Sequence, residues 1–452
     1  MRWPVLAAVV ALGALVAMPA PSEANGRAPL TNGITFKPGD DQSIYLATTF
    51  GLLISHDDGC TFRWVCEQNI GYGGQWDPKY GIAMDGTIFA TTFEGLRVSR
   101  DGGCSFTTAT SELAASDPNR IADIWIDALD IGPTGEVWVG TAETGHTNDV
   151  FVSADNGFTF SSRGLLSTEV WYKSVKVAPS NAQRVYATGY KVAGTPTAYF
   201  YISDNDGTSW TPSPLANVMY AATPVLLVKA IDPTNPDIVF MTSIGANTPS
   251  GDLLYRSTDG GTTWTQVLAT TASIHDVVIS GQTVTVATQI ESTMALMGGP
   301  AYQSTNGGVD FAALGDAPQL ACVAARPDGT LLGCGANWDP DFKAVARSID
   351  KGASWTKVWR FVEIAGAVQC APGTVEHDTC DATLWNCPTC MTDLKRQFGA
   401  KGPACGATTD VSGDTTKKPG GGCCDAGSSG PAAAMWSIVV GLFLLRRRRG
   451  RC

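Results

Sequence analysis

Histidine is almost missing from this sequence. There are four, His56, His146, His275 and His377, with no HxxxH or other paired spacing, so a zinc–histidine centre is unsupported. Charge is sparse as well, at 16% of 452 residues, and the formal net charge of −11 argues against binding nucleic acid through its phosphates. No spacing resembles a calcium-binding EF-hand loop. No metal and no cofactor is therefore expected. Long amphipathic helical runs are hard to find, whereas glycine is abundant, with 50 residues. A chain that is 44% hydrophobic can still bury a core. Together these features favour a β structure with many turns.

Both ends of the chain read as targeting segments. Arg2, the apolar stretch Val5 to Met18 and the small residues Ser22 and Ala24 form a secretory signal pattern, residues 1–24, with cleavage expected after Ala24. A retained anchor would need a longer apolar run. At the other end, Ala432 to Leu445 is apolar and runs straight into Arg446–Arg449. Fourteen apolar residues are short for a full span, but Trp436 would suit one interface and the arginines the cytoplasmic one. A Gly/Ser/Thr-rich linker, residues 406–430, precedes this tail (431–452) and contains Cys423-Cys424. The order "GGGCCDAG", short hydrophobic helix, arginine run resembles the myxobacterial C-terminal sorting tag (MYXO-CTERM). That resemblance covers about the last thirty residues. It implies processing near Cys423 or Cys424, a transient membrane contact through the hydrophobic helix, and display on the cell surface.

The interior repeats. Ser43–Phe62, "SIYLATTFGLLISHDDGCTF", and Thr87–Phe106, "TIFATTFEGLRVSRDGGCSF", follow one order: a β run, a turn, a second β run, then Ser-x-Asp-x-Gly-x-(Thr/Ser)-aromatic. That last pattern occurs seven times, from Ser55, Ser99, Ser153, Ser203, Ser257, Ser304 and Ser348, at intervals of 44, 54, 50, 54, 47 and 44 residues. Its third position is Asp57, Asp101, Asp155, Asn205, Asp259, Asn306 or Asp350. An Asp or Asn side chain accepts hydrogen bonds from nearby backbone amides, and the glycine supplies a positive φ, so each copy is expected to be a hairpin turn with the aromatic packed beneath it. Four strand-like runs surround each turn, for example Val225–Ala230, Ile238–Thr242, Leu253–Ser257 and Thr263–Val267. A unit of this length with four strands is the signature of a propeller blade. The expectation is an all-β, seven-bladed propeller over residues 25–365. The repeated motif resembles the Asp-box (BNR) propellers of sialidases, sortilin-type receptors, xyloglucan-cleaving glucanases and a photosystem assembly factor. That resemblance specifies fold and leaves function open.

The sialidase members imply an arginine triad, a tyrosine nucleophile with a glutamate partner, and usually an Arg-Ile-Pro motif. No Arg-Ile-Pro occurs here. The main interior arginines are Arg97, Arg100, Arg120, Arg163, Arg184, Arg256, Arg326 and Arg347. Those beside the repeated serines are expected to decorate turns, and no triad can be assembled. In Asp-box propellers ligands usually bind the face opposite the repeated turns. The loops on that face offer Tyr72, Trp76 and Asp77; Arg120, Asp123, Trp125 and Asp127; Glu143, His146 and Asp149; Glu169, Trp171, Tyr172 and Lys173; and Trp338, Asp339 and Asp341. Tryptophan beside carboxylate suits a sugar or peptide surface. The plainer alternative is that Trp125 and Trp171 begin inner strands and pack between blades, and that the acidic residues cap turns. No catalytic residue is assigned.

Thirteen cysteines, less Cys423, Cys424 and Cys452 of the tail, leave ten, an even number that fits an oxidising compartment. Cys322 and Cys334 are symmetric about Asp328, which predicts a cross-strand disulfide in the seventh unit. Cys60 and Cys66 are too far apart along one strand to join; Cys104 could bond either, leaving the third for a partner in the tail, and the connectivity beyond Cys322–Cys334 stays open. Residues 366–405 carry Cys370, Cys380, Cys387, Cys390 and Cys405 and read as a disulfide-stapled extension rather than a redox or zinc site. The leading functional expectation is an exported, surface-anchored binding or adhesion module for a glycan or protein ligand. An extracellular glycoside hydrolase and an envelope scaffold are the alternatives.

Overall fold

The computed structural model describes residues 29–403 except 74–75, 248–250, 292–295, 316, 338–340 and 389–392. The signal pattern, Trp338, Asp339, Cys390, Cys405, the linker with Cys423 and Cys424, and the tail lie outside the described residues.

Seven antiparallel sheets follow one another along the chain, each formed by strands adjacent in sequence. Blade one comprises Thr31–Lys37, Asp40–Thr48, Gly51–Ser55 and Phe62–Val65; blade two begins at Tyr80–Ile82, blade three at Ile126–Ile131, blade four at Val170–Ala178, blade five at Leu226–Ile231, blade six at Ser273–Ser280 and blade seven at Cys322–Ala325. This is a seven-bladed propeller of four-stranded blades. Each second strand has a buried stretch, the whole strand in Ile88–Thr92 and Val137–Thr141, because it lies between neighbouring blades. Their apolar, β-branched sequences are what such double-sided burial requires.

The repeated turns join third and fourth strands and are chemically alike. In the turn of blade five, Ser257 Oγ donates to Asp259 Oδ1 at 2.8 Å and accepts from the Gly261 amide at 2.8 Å, while Asp259 Oδ1 accepts from the Thr263 amide at 2.9 Å. The same three bonds recur at Asp57, Asp101, Asp155, Asn205, Asn306 and Asp350. Two consecutive residues in each turn have positive φ: the expected glycine and the residue before it, as at Asp58 (59°), Asn156 (58°), Asp206 (55°) and Lys351 (58°). The glycine is also sterically required. A Cβ on Gly308 would lie 2.3 Å from the Phe240 ring of the preceding blade.

The arginines near these turns do more than decorate them. Arg100 donates to the Asn156 carbonyl at 2.9 Å, Arg163 pairs with Asp206 at 3.2 Å, and Arg326 and Arg347 of blade seven converge on Asp58 of blade one at 2.5 and 2.6 Å. Each contact ties one blade to the next, and the last closes the ring.

After blade seven the chain adds Ile364–Ala367 as a parallel fifth strand on the outer edge of blade one. The extension then bonds Cys370 to Cys104 and Cys380 to Cys66, and Cys60 and Cys387 are disulfide-bonded as well. Cys104 therefore joins neither Cys60 nor Cys66, because both it and Cys66 are taken by the returning tail. Phe398 of the extension packs 4.9 Å from Phe50, in the turn between the second and third strands of blade one. Cys322 and Cys334 lie directly opposite in register and form a disulfide.

Candidate functional site: a polar girdle in the axial channel

The first strand of each blade lines the axis, where a cavity of about 380 Å³ is walled by residues from all seven blades. In five blades this inner strand carries a β-bulge near its start. The residues passed over by the pairing register are Asn32, Asp127, Lys173, Lys229 and His275, in blades one, three, four, five and six. A bulge leaves one residue unpaired and re-aims its side chain. Here every bulged residue is polar, in strands whose alternate positions are otherwise apolar.

These side chains connect blade to blade. Lys79, just before the inner strand of blade two, donates to Asp127 at 3.0 Å, and Lys173 pairs with the other oxygen of the same carboxylate. One step deeper, Lys176 pairs with Asp130 at 2.7 Å. Lys229 donates to the His275 carbonyl at 2.7 Å, and His275 pairs with Asp276 at 3.2 Å. Asp276 also accepts from the Val323 amide at 3.2 Å, and Asn32 donates to Asp77 at 2.7 Å. Burial in the channel pushes the amines down: Lys173 to about 7, with Lys79 adding to the effect, and Lys229 to about 8. The Asp127 carboxylate acts on Lys173 in the opposite sense. Asp276 is held below the usual carboxylate range against its own burial, chiefly by His275.

An aromatic arc adjoins the girdle on the face opposite the repeated turns. Phe93, in a second-to-third-strand turn, lies 4.9 Å from Trp125; Trp125 lies 5.5 Å from Trp171, and Trp171 lies 6.1 Å from Tyr190. The arc crosses blades two, three and four. Phe93 is 43% exposed, and both tryptophans keep part of their surface in solvent. Lys173 Nζ sits 4.7 Å from the centre of the Trp125 ring, so girdle and arc meet there.

Of the residues singled out from the sequence, Asp77, Trp125, Asp127, Trp171 and Lys173 come together at this site. Trp76 stands apart, 65% exposed. The remaining candidates serve the loops. Arg120 donates to the Thr110, Ser111 and Leu113 carbonyls and pairs with Asp123. Glu169 pairs with Lys191 at 3.0 Å, Glu143 accepts from the Thr144 amide, and Asp341 accepts from the Gln319 amide at 2.9 Å. Tyr72 packs in the core between blades one and two, Tyr172 is buried, and Asp149 caps the Val150 and Leu165 amides. The sequence reading missed Lys79, Lys176, Lys229, His275 and Asp276. The sequence shows Lys176, Lys229, His275 and Asp276 only as charged residues inside otherwise apolar first strands, and Lys79 just before one, with no sign that they reach the axis.

A carboxyl held in its protonated form would mark a general acid for glycoside cleavage. Among the described residues, burial raises Asp149, Asp206 and Glu376, Glu376 to about 8, and none of them lines the channel.

No family model matches the chain, and neither does any curated protein. Among solved structures, an ancestral GH74 enzyme is 14% identical, with a TM-score of 0.52, over 74% of this chain and 47% of its own. The Niastella koreensis GH74 enzyme is 16% identical, with a TM-score of 0.40, over 72% of this chain and 65% of its own. YCF48 bound to D1 peptide is 16% identical, with a TM-score of 0.38, over 57% of this chain and 74% of its own. The chain thus spans about half to two thirds of the length of the GH74 enzymes named here. At these identities the likeness is one of fold: the chain is a β-propeller.

Proposed function

We propose that this chain is an Asp-box propeller that acts as a binding module for a glycan or protein ligand, exported and held at the cell surface by its C-terminal sorting segment. The observation that carries the binding reading is the junction of the Phe93–Trp125–Trp171–Tyr190 arc with the bulged polar residues of the channel. Partly exposed aromatic faces give apolar contact to a sugar ring or a side chain, and the polar groups beside them fix its orientation. Charged side chains on bulges near the axis, where no sheet pairing needs them, point the same way.

A glycoside hydrolase is the second reading, favoured by the fold-level likeness to the ancestral GH74 enzyme. It would require an acid and a base or nucleophile on Asp77, Asp127, Asp130 or Asp276, and those carboxylates hold Asn32, the channel lysines and His275 instead.

A glycan array on the full chain, followed by incubation of each bound glycan and analysis of its products, tests both readings. Binding without cleavage, weakened by Trp171→Ala, is the expected result. Release of shorter saccharides would replace the binding reading with the hydrolase. A blank array together with no crosslinked protein partner would overturn both.

A further inference from the structure

Direct ion pairing is unevenly distributed in the girdle. Lys79, Lys173 and Lys176 share two carboxylates, Asp127 and Asp130, both supplied by blade three. Lys229 in blade five reaches a carbonyl and forms no ion pair among the described residues. Of the other channel carboxylates, Asp77 accepts from Asn32, and Asp276 pairs with His275, accepts from the Val323 amide and also acts on Lys229 through space. Among the described residues, the four amines of blades two to five make direct ion pairs with only two carboxylates, Asp127 and Asp130, and the aromatic arc abuts that same wall. A chain with net charge −11 has few such places.

We propose that this wall recognises an acidic saccharide, its ring resting on Trp125 and Trp171 and its anionic group entering the channel between Lys79, Lys173 and Lys229. The inference rests on the binding reading above and names the ligand class. A carboxylate or sulfate oxygen would accept charge-assisted hydrogen bonds from amines that now share one partner, or have only a carbonyl, and such bonds are roughly twice as strong as neutral ones. Their strength rises again in a channel partly shielded from water. The depressed amines add support, since an entering anion offsets the cost that burial imposes on the charged form. The cavity, at about 380 Å³, falls within the range of small-ligand pockets. Uronate and sugar sulfate share this chemistry.

The test is calorimetric titration of the full chain with three oligosaccharides of equal length: oligogalacturonate, a sulfated galactose oligomer and the neutral galactose oligomer. The expected result is at least about tenfold tighter binding of one acidic oligomer than of the neutral one, and the better acidic arm identifies uronate or sulfate. Lys229→Gln, which breaks no direct ion pair among the described residues, should weaken the acidic ligand about tenfold and leave the neutral one unchanged. Lys79→Gln should do the same while Lys173 keeps Asp127 paired. Equal binding of acidic and neutral oligomers, or indifference to Lys229→Gln, overturns the acidic specificity while leaving a saccharide-binding module. Absence of binding to all three, with tight binding of an acidic peptide, overturns both the specificity and the saccharide reading.

Discussion

Blade five contains a repeated turn at Ser257–Trp264 and an inner strand at Leu226–Ile231, and the two are made differently. The turn closes on itself: Asp259 bonds Ser257 and Thr263, all within its own few residues, and six other turns do the same. The inner strand closes on nothing local. Lys229, the residue its bulge sets free, reaches a carbonyl of the next blade. The turn's seven-fold recurrence reflects one local conformational need met identically in every blade. The girdle has one bulged position in each of five blades, filled by Asn32, Asp127, Lys173, Lys229 or His275, and only the neighbouring blades four and five are alike in chemistry. Repetition here tracks stability, and variation at an equivalent site tracks recognition.

If that distinction holds, changes to the scaffold lower stability and changes to the girdle and arc lower binding. The largest effect is expected from the extension. Cys66–Cys380 spans 314 residues and Cys104–Cys370 spans 266. The two bonds are nested, so each closes a short loop while the other is intact; removing one corresponds to roughly 4 kcal/mol, and removing the second once the first has gone costs more, roughly 5–6 kcal/mol. Cys66→Ala with Cys380→Ala should lower the denaturation midpoint strongly, as followed by circular dichroism, yet preserve ligand affinity wherever the protein stays folded.

Next comes Glu376, buried beside that bond, where it accepts from the Cys66 amide and Asn69. Burial raises its carboxyl to about 8 from an ordinary value of 4.5. The folded chain therefore binds a proton that the unfolded chain has released between these values, so stability is full below about 4.5 and declines as pH rises towards 8. Glu376→Gln should flatten this decline and leave the variant more stable than the parent by a few kcal/mol at pH 8.5, measured by urea denaturation at pH 5.5 and 8.5.

A smaller loss is expected in the repeated turns. Asp259→Ala leaves the Thr263 amide and the Ser257 hydroxyl without their partner and should cost about 1–3 kcal/mol. Asp259→Asn should cost less than half of that, because Asn205 and Asn306 already do the same work. The sign of the acid dependence is opposite to that of Glu376. Turn hydrogen bonds hold Asp57, Asp101, Asp155 and Asp259 below the ordinary aspartate value against partial burial, and hold Asp350 at about 2. Their contribution is complete above the ordinary aspartate range and is lost as pH falls through these lowered values. Asp259→Asn should therefore lose less stability than the parent as pH falls from about 4 to about 2.

Much of the fold was legible in the sequence, because a blade is a local object. Its strands are neighbours in the chain, and its turn needs Ser, Asp or Asn, Gly and an aromatic at fixed spacing. The second left-handed residue of the turn escaped notice because Asp58, Gly102, Asn156 and Lys351 look unlike one another. They share only a tolerance of positive φ, and for lysine not even that. Less of the site was legible. Trp125 and Trp171 stood out by rarity, but Lys229 and His275 acquire meaning only when a bulge turns them to the axis, and a bulge is a property of pairing between strands. The cysteine partners were hidden for a related reason. Cys66 and Cys380 meet only after seven blades have closed a ring, and no spacing encodes that.

The central claim is that ligand recognition belongs to the face opposite the repeated turns. The most direct measurement compares two variants side by side, Trp171→Ala and Asp259→Ala, for affinity to whichever glycan or protein partner the parent retains, with thermal midpoints recorded in parallel. The account predicts at least about a tenfold loss of affinity for Trp171→Ala, equivalent to about 1.4 kcal/mol, with little change in midpoint, and the reverse pattern for Asp259→Ala. Lost binding in Asp259→Ala at a temperature where it remains folded, with Trp171→Ala binding normally, would contradict it.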